Sequence, residues 1–259
     1  RSRYAHFGYS TGGYGVELQF ERGDCLPFSA SDYAVEELPG DADPADVRLF
    51  LSLYNRTPVH ADRTESDFLT VLRSGKRRPY RILQTGRTVG YLCADAGLDA
   101  VGELEVEDPK CLPNVIHALF NEIGRSALLL YGIAPADTDK LDVLLPLATS
   151  VKLSGRERYR IFDYRGLIEA GLRAQAERRQ LLPGTVRFAV DGYGTLTVTV
   201  GETVEVTRTE TVDGTALSGE EATRLLLGMA PCGFPGKQLP PQASAWFPLP
   251  LFNRPCDRV

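Results

Sequence analysis

The first residues with an evident chemical use are aromatic and lie at the front of the chain, in Tyr4-Ala5-His6-Phe7-Gly8-Tyr9. A tyrosine hydroxyl can act as a general acid, and with an ordinary pKa near ~10 it suits a basic leaving group. Taken alone, such a tyrosine is far better explained by packing or surface exposure than by catalysis. Gly12-Gly13-Tyr14-Gly15 has the look of a phosphate loop, but it precedes a strand pattern, where its amides would not converge on an anion as they do at a helix N-terminus. It reads as a flexible turn. Arg73, Lys76, Arg77 and Arg78 form the one dense basic cluster, between a helix pattern and a hairpin pattern. They read as a solvated turn with favourable charge at a helix C-terminus, a phosphate contact being the alternative. Cys25, Cys93, Cys111, Cys232 and Cys256 are scattered, as are His6, His60 and His117, and no C-x-x-C pair occurs. This argues against a structural metal or a disulfide framework and favours a reduced cytoplasm. The patterns G-x-S-x-G, H-E-x-x-H and G-x-x-x-x-G-K-[ST] are absent, and no Cys/His pair is set out as nucleophile and base.

The elements that must position these residues follow from periodicity. Val16–Phe20 alternates as a strand, and a loop rich in Pro, Gly and Asp runs on to Asp43. Asp43-Pro44 caps a helix with Val47, Phe50, Leu51 and Tyr54 on one stripe. A second helix is predicted to open at Thr64 and carry Phe68, Leu69 and Leu72. Tyr80–Ala94 reads as a hairpin turning at Thr85-Gly86, followed by a strand at Val101–Val106. Leu112, Val115, Ile116, Leu119, Phe120 and Ile123 keep a helical period, and Gly124 stops it. A buried strand at Ala127–Tyr131 and a helix through Leu141, Leu144 and Leu145 complete an α/β pattern with a mixed sheet.

Near residue 160 the grammar changes. Asp163 caps an amphipathic helix, and three strands centred on Phe188, Val198 and Val206 then form a meander. Ser218-x-x-Glu221 is a capping box before Ala222, Leu225 and Leu226, and a Pro-rich aromatic tail runs from Pro231 to Val259. With 259 residues and this change of pattern, two domains are expected, the second of α+β type. The net charge of −5 disfavours nucleic acid as a partner, and no apolar run approaches the ~18–20 residues of a membrane span.

The segment Tyr4-Ala5-His6-Phe7-Gly8-Tyr9 resembles the Tyr-x-x-Phe-Gly-[Tyr/Phe] stretch near the end of a GNAT N-acetyltransferase domain, and more specifically that of the enhanced-intracellular-survival (Eis) acetyltransferases. The likeness continues through Val16–Phe20 and the α/β order of residues 25–158. It extends to the R-I-x-D lead-in at Tyr159–Leu167, the strands of Arg187–Val206 and the L-S-x-x-x-x-x-x-L-L-x-G helix ending at Gly228. It implies a tripartite plan: residues 1–15 as the remnant of an acetyl-CoA-binding GNAT domain, 16–158 as a second, degenerate GNAT-like mixed-sheet domain, and 159–259 as a sterol-carrier-protein-like α+β domain with a catalytic C-terminal tail.

The resemblance also implies an activity: transfer of acetyl from acetyl-CoA to a primary amine of a cationic small molecule, aminoglycoside- or lysine-like, by a cytoplasmic homo-oligomer. Two residues carry it. Tyr4 corresponds to the tyrosine that protonates the departing thiolate, and Val259, through its α-carboxylate, to the C-terminal base that relieves the substrate ammonium of its proton. The family's [Q/R]-x-x-G-x-[G/A] cofactor signature does not occur here and is expected upstream of Tyr4, so no cofactor-binding residue is assigned and the chain by itself is expected to be inactive. The ending Asp257-Arg258-Val259 also differs from family members that end in an aromatic residue. An apolar-ligand carrier role for the last domain, or a purely structural and oligomerising role for both, are the alternatives.

Overall fold

A computed structural model describes residues 2–25, 28, 32–57, 59–155, 157–213, 216–228 and 240–257. The chain opens with α1 (Ser2–His6), β1 (Ser10–Gly12), β2 (Gly15–Glu21), α2 (Arg22–Cys25), β3 (Tyr33–Glu37), α3 (Pro44–Tyr54) and α4 (Phe68–Leu72). The middle carries β4 (Arg78–Gln84), β5 (Arg87–Ala94), β6 (Ala100–Val106), α5 (Leu112–Ile123), β7 (Ala127–Ile133), α6 (Thr138–Leu144), β8 (Ser150–Ser154) and β9 (Glu157–Tyr159). Then come α7 (Tyr164–Ala176), β10 (Gly184–Val190), β11 (Gly194–Val200), β12 (Val204–Thr209), β13 (Ala216–Leu217), α8 (Gly219–Leu227) and α9 (Pro241–Trp246). These elements fall into two compact units. One joins the residues up to Tyr14 with Gly155–Leu251; the other joins Gly15–Ser154 with the chain from Phe252 onward.

In the second of these units the described residues form a seven-stranded mixed sheet in the order β3-β4-β5-β6-β7-β2-β8. Every neighbouring pair is antiparallel except β6–β7, the two strands joined by α5. Helix α5 forms because its apolar residues share one stripe, and it ends at Gly124, whose left-handed φ of 62° spares a Cβ clash. Its buried face, Val115, Ile116, Leu119 and Phe120, packs with Leu18, Phe20, Ile82, Leu92 and Leu104 in one core cluster. A second cluster joins Tyr91 and Cys93 of β5 to Val47, Phe50, Leu53 and Tyr54 of α3 and to Phe68 and Leu72 of α4. From Tyr91 to Ala94 the two clusters take alternate residues of β5, so that stretch is covered on both faces. Parallel pairing of β6 with β7 is confined to Ala100↔Leu129 and Val101↔Leu130. Just beyond, the backbones touch: a Cβ on Gly132 would lie 1.5 Å from the Gly102 carbonyl oxygen, so glycine is required.

In the other unit the described residues form a four-stranded sheet, β12-β11-β10-β13, and a small β1–β9 pair. Asp163 accepts the Gly166 amide at 3.1 Å and starts α7, and the Ser218/Glu221 capping box starts α8. Ile168 and Leu172 of α7 join Val186, Phe188, Leu196 and Val198 of the sheet in a core closed by Trp246, Phe247 and Leu249. Buried Trp246 donates its indole N–H to the Leu182 carbonyl at 2.8 Å.

Most expected elements are present, with informative differences. Helix α4 begins at Phe68, not Thr64, because Asp67 accepts the Thr64 amide at 2.8 Å and ties residues 64–67 into a turn. The expected loop before Asp43 contains β3, which pairs in register with β4. The hairpin turn at Thr85-Gly86 has φ of 50° and 81°, the sign a type I′ turn needs at both positions.

Candidate functional site

Tyr4 sits on the short helix α1 and is 56% exposed. Its carbonyl accepts from the Phe7 and Tyr9 amides at 3.1 Å each, the Tyr9 ring meets its ring edge-on at 6.1 Å, and the Arg158 guanidinium lies over it at 5.5 Å. Val259, the other residue expected to carry chemistry, lies outside the described residues, which reach Asp257. The two are therefore not brought together by anything described here.

The basic cluster is largely spent locally. Arg73 donates to the Pro39 carbonyl at 2.6 Å, and Arg78 bonds Glu37 at 3.2 Å. Arg77 is partly buried, with one guanidinium nitrogen lacking a hydrogen-bond partner. Gly13, at φ 60°, donates its amide to the Leu227 carbonyl at 2.6 Å, and the chain continues into β2. No helix follows to gather amides for a phosphate. In the β6–α5–β7 crossover the helix start is the natural place for an anion. Here it carries Pro109 and Pro113, which lack an N–H, and Asp108, whose carboxylate already accepts the Lys110 amide at 3.0 Å. This junction does not fit the pyrophosphate of acetyl-CoA. Among the described residues no group of three or more His, Cys, Asp or Glu side chains could hold a metal ion.

The residues that sequence reasoning missed form a buried polar cluster around the last described turn. Period-2 alternation puts Glu103 and Glu105 of β6 on the face shared with Tyr91 and Cys93 of β5. Arg63 reaches Glu103 in a two-pronged contact, Nη1 to Oε1 and Nη2 to Oε2, each 2.9 Å. The same guanidinium binds Asp257 Oδ1, at 2.9 Å from Nε and 2.7 Å from Nη2. Tyr91 donates its hydroxyl to Glu103 at 2.5 Å, and the Tyr54 hydroxyl lies 3.0 Å from both Asp257 and the Ala61 carbonyl. Arg254 donates to Glu105 Oε1 at 2.5 Å and to the Thr57 hydroxyl, with Glu103 3.8 Å away. Lys140 shares that Glu105 oxygen at 2.6 Å and lies 3.5 Å from Asp137. The Tyr54 ring carries the guanidinium carbons of Arg63 and Arg254 at 3.9 and 4.8 Å from its centre.

The electrostatics follow from burial with compensation. The side chains of Arg63 and Glu103 are 1% and 0% exposed. Burial alone would push the Glu103 carboxyl up; the charges of Arg254 and Arg63 and the hydrogen bonds from Arg63 and Tyr91 hold it below its ordinary range. Burial works against the Arg63 and Arg254 guanidinium charges as well, and the surrounding carboxylates outweigh it, so both stay firmly protonated. Burial pushes the Tyr54 and Tyr91 phenols up, so both are neutral donors. Such a cluster is a poor nucleophile or proton shuttle and a good clamp. A sequence signal existed: Gly102-Glu103-Leu104-Glu105-Val106 looks like a half-exposed strand, yet it follows Val89–Ala94, a nearly unbroken apolar run of the kind buried on both faces. Carboxylates beside such a strand must find buried cations.

No protein-family model matches the chain, and no curated protein matches it in sequence. Among solved structures it is similar to a GCN5-related N-acetyltransferase from Anabaena variabilis, with 15% identity and a TM-score of 0.62 over 96% of this chain and 69% of that one. A GCN5-related N-acetyltransferase from Kribbella flavida gives 18% identity and 0.62 over 98% of this chain and 68% of that one. Eis1 from Mycobacterium abscessus gives 18% and 0.50, covering 88% and 60%. Over nearly its whole length the chain has the fold of part of a GCN5-related N-acetyltransferase.

Proposed function

We propose that this chain is the C-terminal portion of an N-acetyltransferase of the Eis type. The enzyme would transfer acetyl from acetyl-CoA to a primary amine of a cationic small molecule, aminoglycoside- or lysine-like, as a homo-oligomer in the cytoplasm. In this reading residues 1–15 close the acetyl-CoA-binding domain, 16–158 form a second GNAT-like domain, and 159–259 form a sterol-carrier-like domain with the catalytic tail. The observation that carries it is the fold, which follows two GCN5-related N-acetyltransferases over 96% and 98% of this chain.

Within the chain, Tyr4 supplies a phenolic proton to the leaving group, and the Val259 α-carboxylate takes a proton from the substrate ammonium. Attack requires a neutral amine, and a carboxylate with an ordinary pKa of about 3.5 also holds the cation electrostatically. The start of α5 does not suit a pyrophosphate, and the reading assigns the acetyl-CoA site to upstream sequence. The test compares this chain with the natural protein that extends it upstream, following thiol release from acetyl-CoA across a panel of amines. The chain alone should be inactive and the extended protein active; an extended protein with no turnover on any amine would refute the reading.

A further inference from the structure

The polar cluster is costly to assemble for the sake of stability alone, because buried ion pairs return little more than apolar residues of the same volume. What such a cluster fixes well is geometry. Arg254 and Asp257 are the tail's contribution, joined by the Asp257 amide donating to the Arg254 carbonyl at 3.0 Å, with side chains 2% and 4% exposed. Their partners come from separate parts of the unit: Glu103 and Glu105 from β6, Tyr54 from α3, and Thr57 and Arg63 from the loop after it. Asp257 is held at both carboxylate oxygens, Oδ1 by Arg63 and Oδ2 by Tyr54, so it can neither rotate nor slide. Cys256, between the two clamped residues, is fully buried among Phe68, Leu72 and Cys93. Val259 stands two positions after Asp257 in the sequence, a separation that extended chain spans with about 7 Å.

We propose that Arg63 and Glu103 of the fold, with Arg254 and Asp257 of the tail, are positioning residues for acetyl transfer, setting where the terminal carboxylate stands. The inference rests on the reading of Val259 as the base. Catalysis by a held group is steep in distance: a misplacement of about 1 Å can cost about 100-fold in rate. Loosening the clamp should therefore lower kcat and leave the KM for acetyl-CoA in place.

The test uses the natural full-length protein and three variants. Appending one glycine after Val259 leaves every clamp contact intact and moves the carboxylate. Asp257→Asn weakens the Arg63 contact at nearly constant shape. Tyr54→Phe, the mildest, removes the one hydroxyl shared by Asp257 and the Ala61 carbonyl and serves if Asp257→Asn fails to fold. The glycine extension should lower kcat about 100-fold, Asp257→Asn about 10- to 100-fold and Tyr54→Phe about 3- to 10-fold, with the KM for acetyl-CoA unchanged. In the slow variants kcat should climb with pH toward the amine's own pKa, because the ammonium must then lose its proton to solvent. A merely structural role would leave that profile alone. If the extension lowers kcat while the folded clamp variants keep the parent's kcat and pH profile, the positioning inference is overturned and the reading of Val259 survives. If the extension leaves kcat unchanged, the reading of Val259 has failed and the inference falls with it.

Discussion

Replacing Arg63 with methionine removes one guanidinium and strands two carboxylates. Arg63 holds Glu103 by two contacts of 2.9 Å and Asp257 by two more at 2.9 and 2.7 Å, with side chains 1%, 0% and 4% exposed. Removing one partner of a buried pair typically costs about 3–5 kcal/mol. Glu103 keeps the Tyr91 hydroxyl and Arg254 at 3.8 Å, which places the expected loss near the middle of that range, about 4 kcal/mol. At about 2–4 °C per kcal/mol for a domain of this size, the unit's melting temperature should fall by about 8–16 °C in calorimetry. The exposed Arg224–Glu220 pair, at 2.6 Å but 58% and 62% exposed, is the control; Arg224→Ala should cost less than about 1 kcal/mol. The double variant Arg63→Met/Glu103→Gln should recover part of the loss, since it no longer buries a lone carboxylate at that position. A fall below about 3 °C for Arg63→Met, or strict additivity in the double variant, would show that water reaches the cluster and that the clamp does not exist as described.

Further outcomes follow from the same contacts. The folded Glu103 carboxyl is held below its ordinary 4.5, so the unfolded chain takes up that proton first as pH falls. This contribution to stability is present above about 4.5 and is lost as pH drops through the lowered value; urea unfolding between about pH 3 and 7 should show a steep acid limb that Glu103→Gln flattens. Gly132→Ala places a Cβ 1.5 Å from the Gly102 carbonyl oxygen and should prevent the sheet from forming, whereas Gly40→Ala, with nothing within 4 Å, should leave the melting temperature within about 2 °C of the parent. Ser218→Ala removes the capping box of α8, in which the hydroxyl accepts the Glu221 amide at 3.2 Å, and should cost about 1 kcal/mol by chemical denaturation.

Much of the fold was legible because local signals agreed. The α5 stripe with Gly124, the Thr85-Gly86 turn, the Asp43 and Asp163 caps and the Ser218/Glu221 box each name an element boundary by a physical rule. The short pairings were not legible. The three residues of β1 and the three of β9 pair in antiparallel register at 10↔159, a contact across the chain that no window of periodicity contains. β8 alternates Val151 and Leu153 with serine and lysine, as an edge strand with exposed apolar residues does, and so looks like loop. Tyr4 could be picked out only by resemblance, since its surroundings in the described residues are the ordinary packing of a half-exposed tyrosine. The clamp was hidden for the opposite reason: Glu103 and Glu105 satisfy the rule for a strand with one wet face, and only the covering of that face by α3, α4 and the tail turns them into buried charges.

The central claim is that the natural protein carrying this chain moves acetyl from acetyl-CoA to an amine with Tyr4 as the acid. Its most direct test is the mass of the amine product and the rate of its formation by that protein and by its Tyr4→Phe variant, at saturating acetyl-CoA. The account predicts a singly acetylated product and a kcat lowered about 100- to 10,000-fold in Tyr4→Phe, with folding unchanged. An absence of acetylated product on every amine, or a Tyr4→Phe variant as fast as the parent, would contradict it.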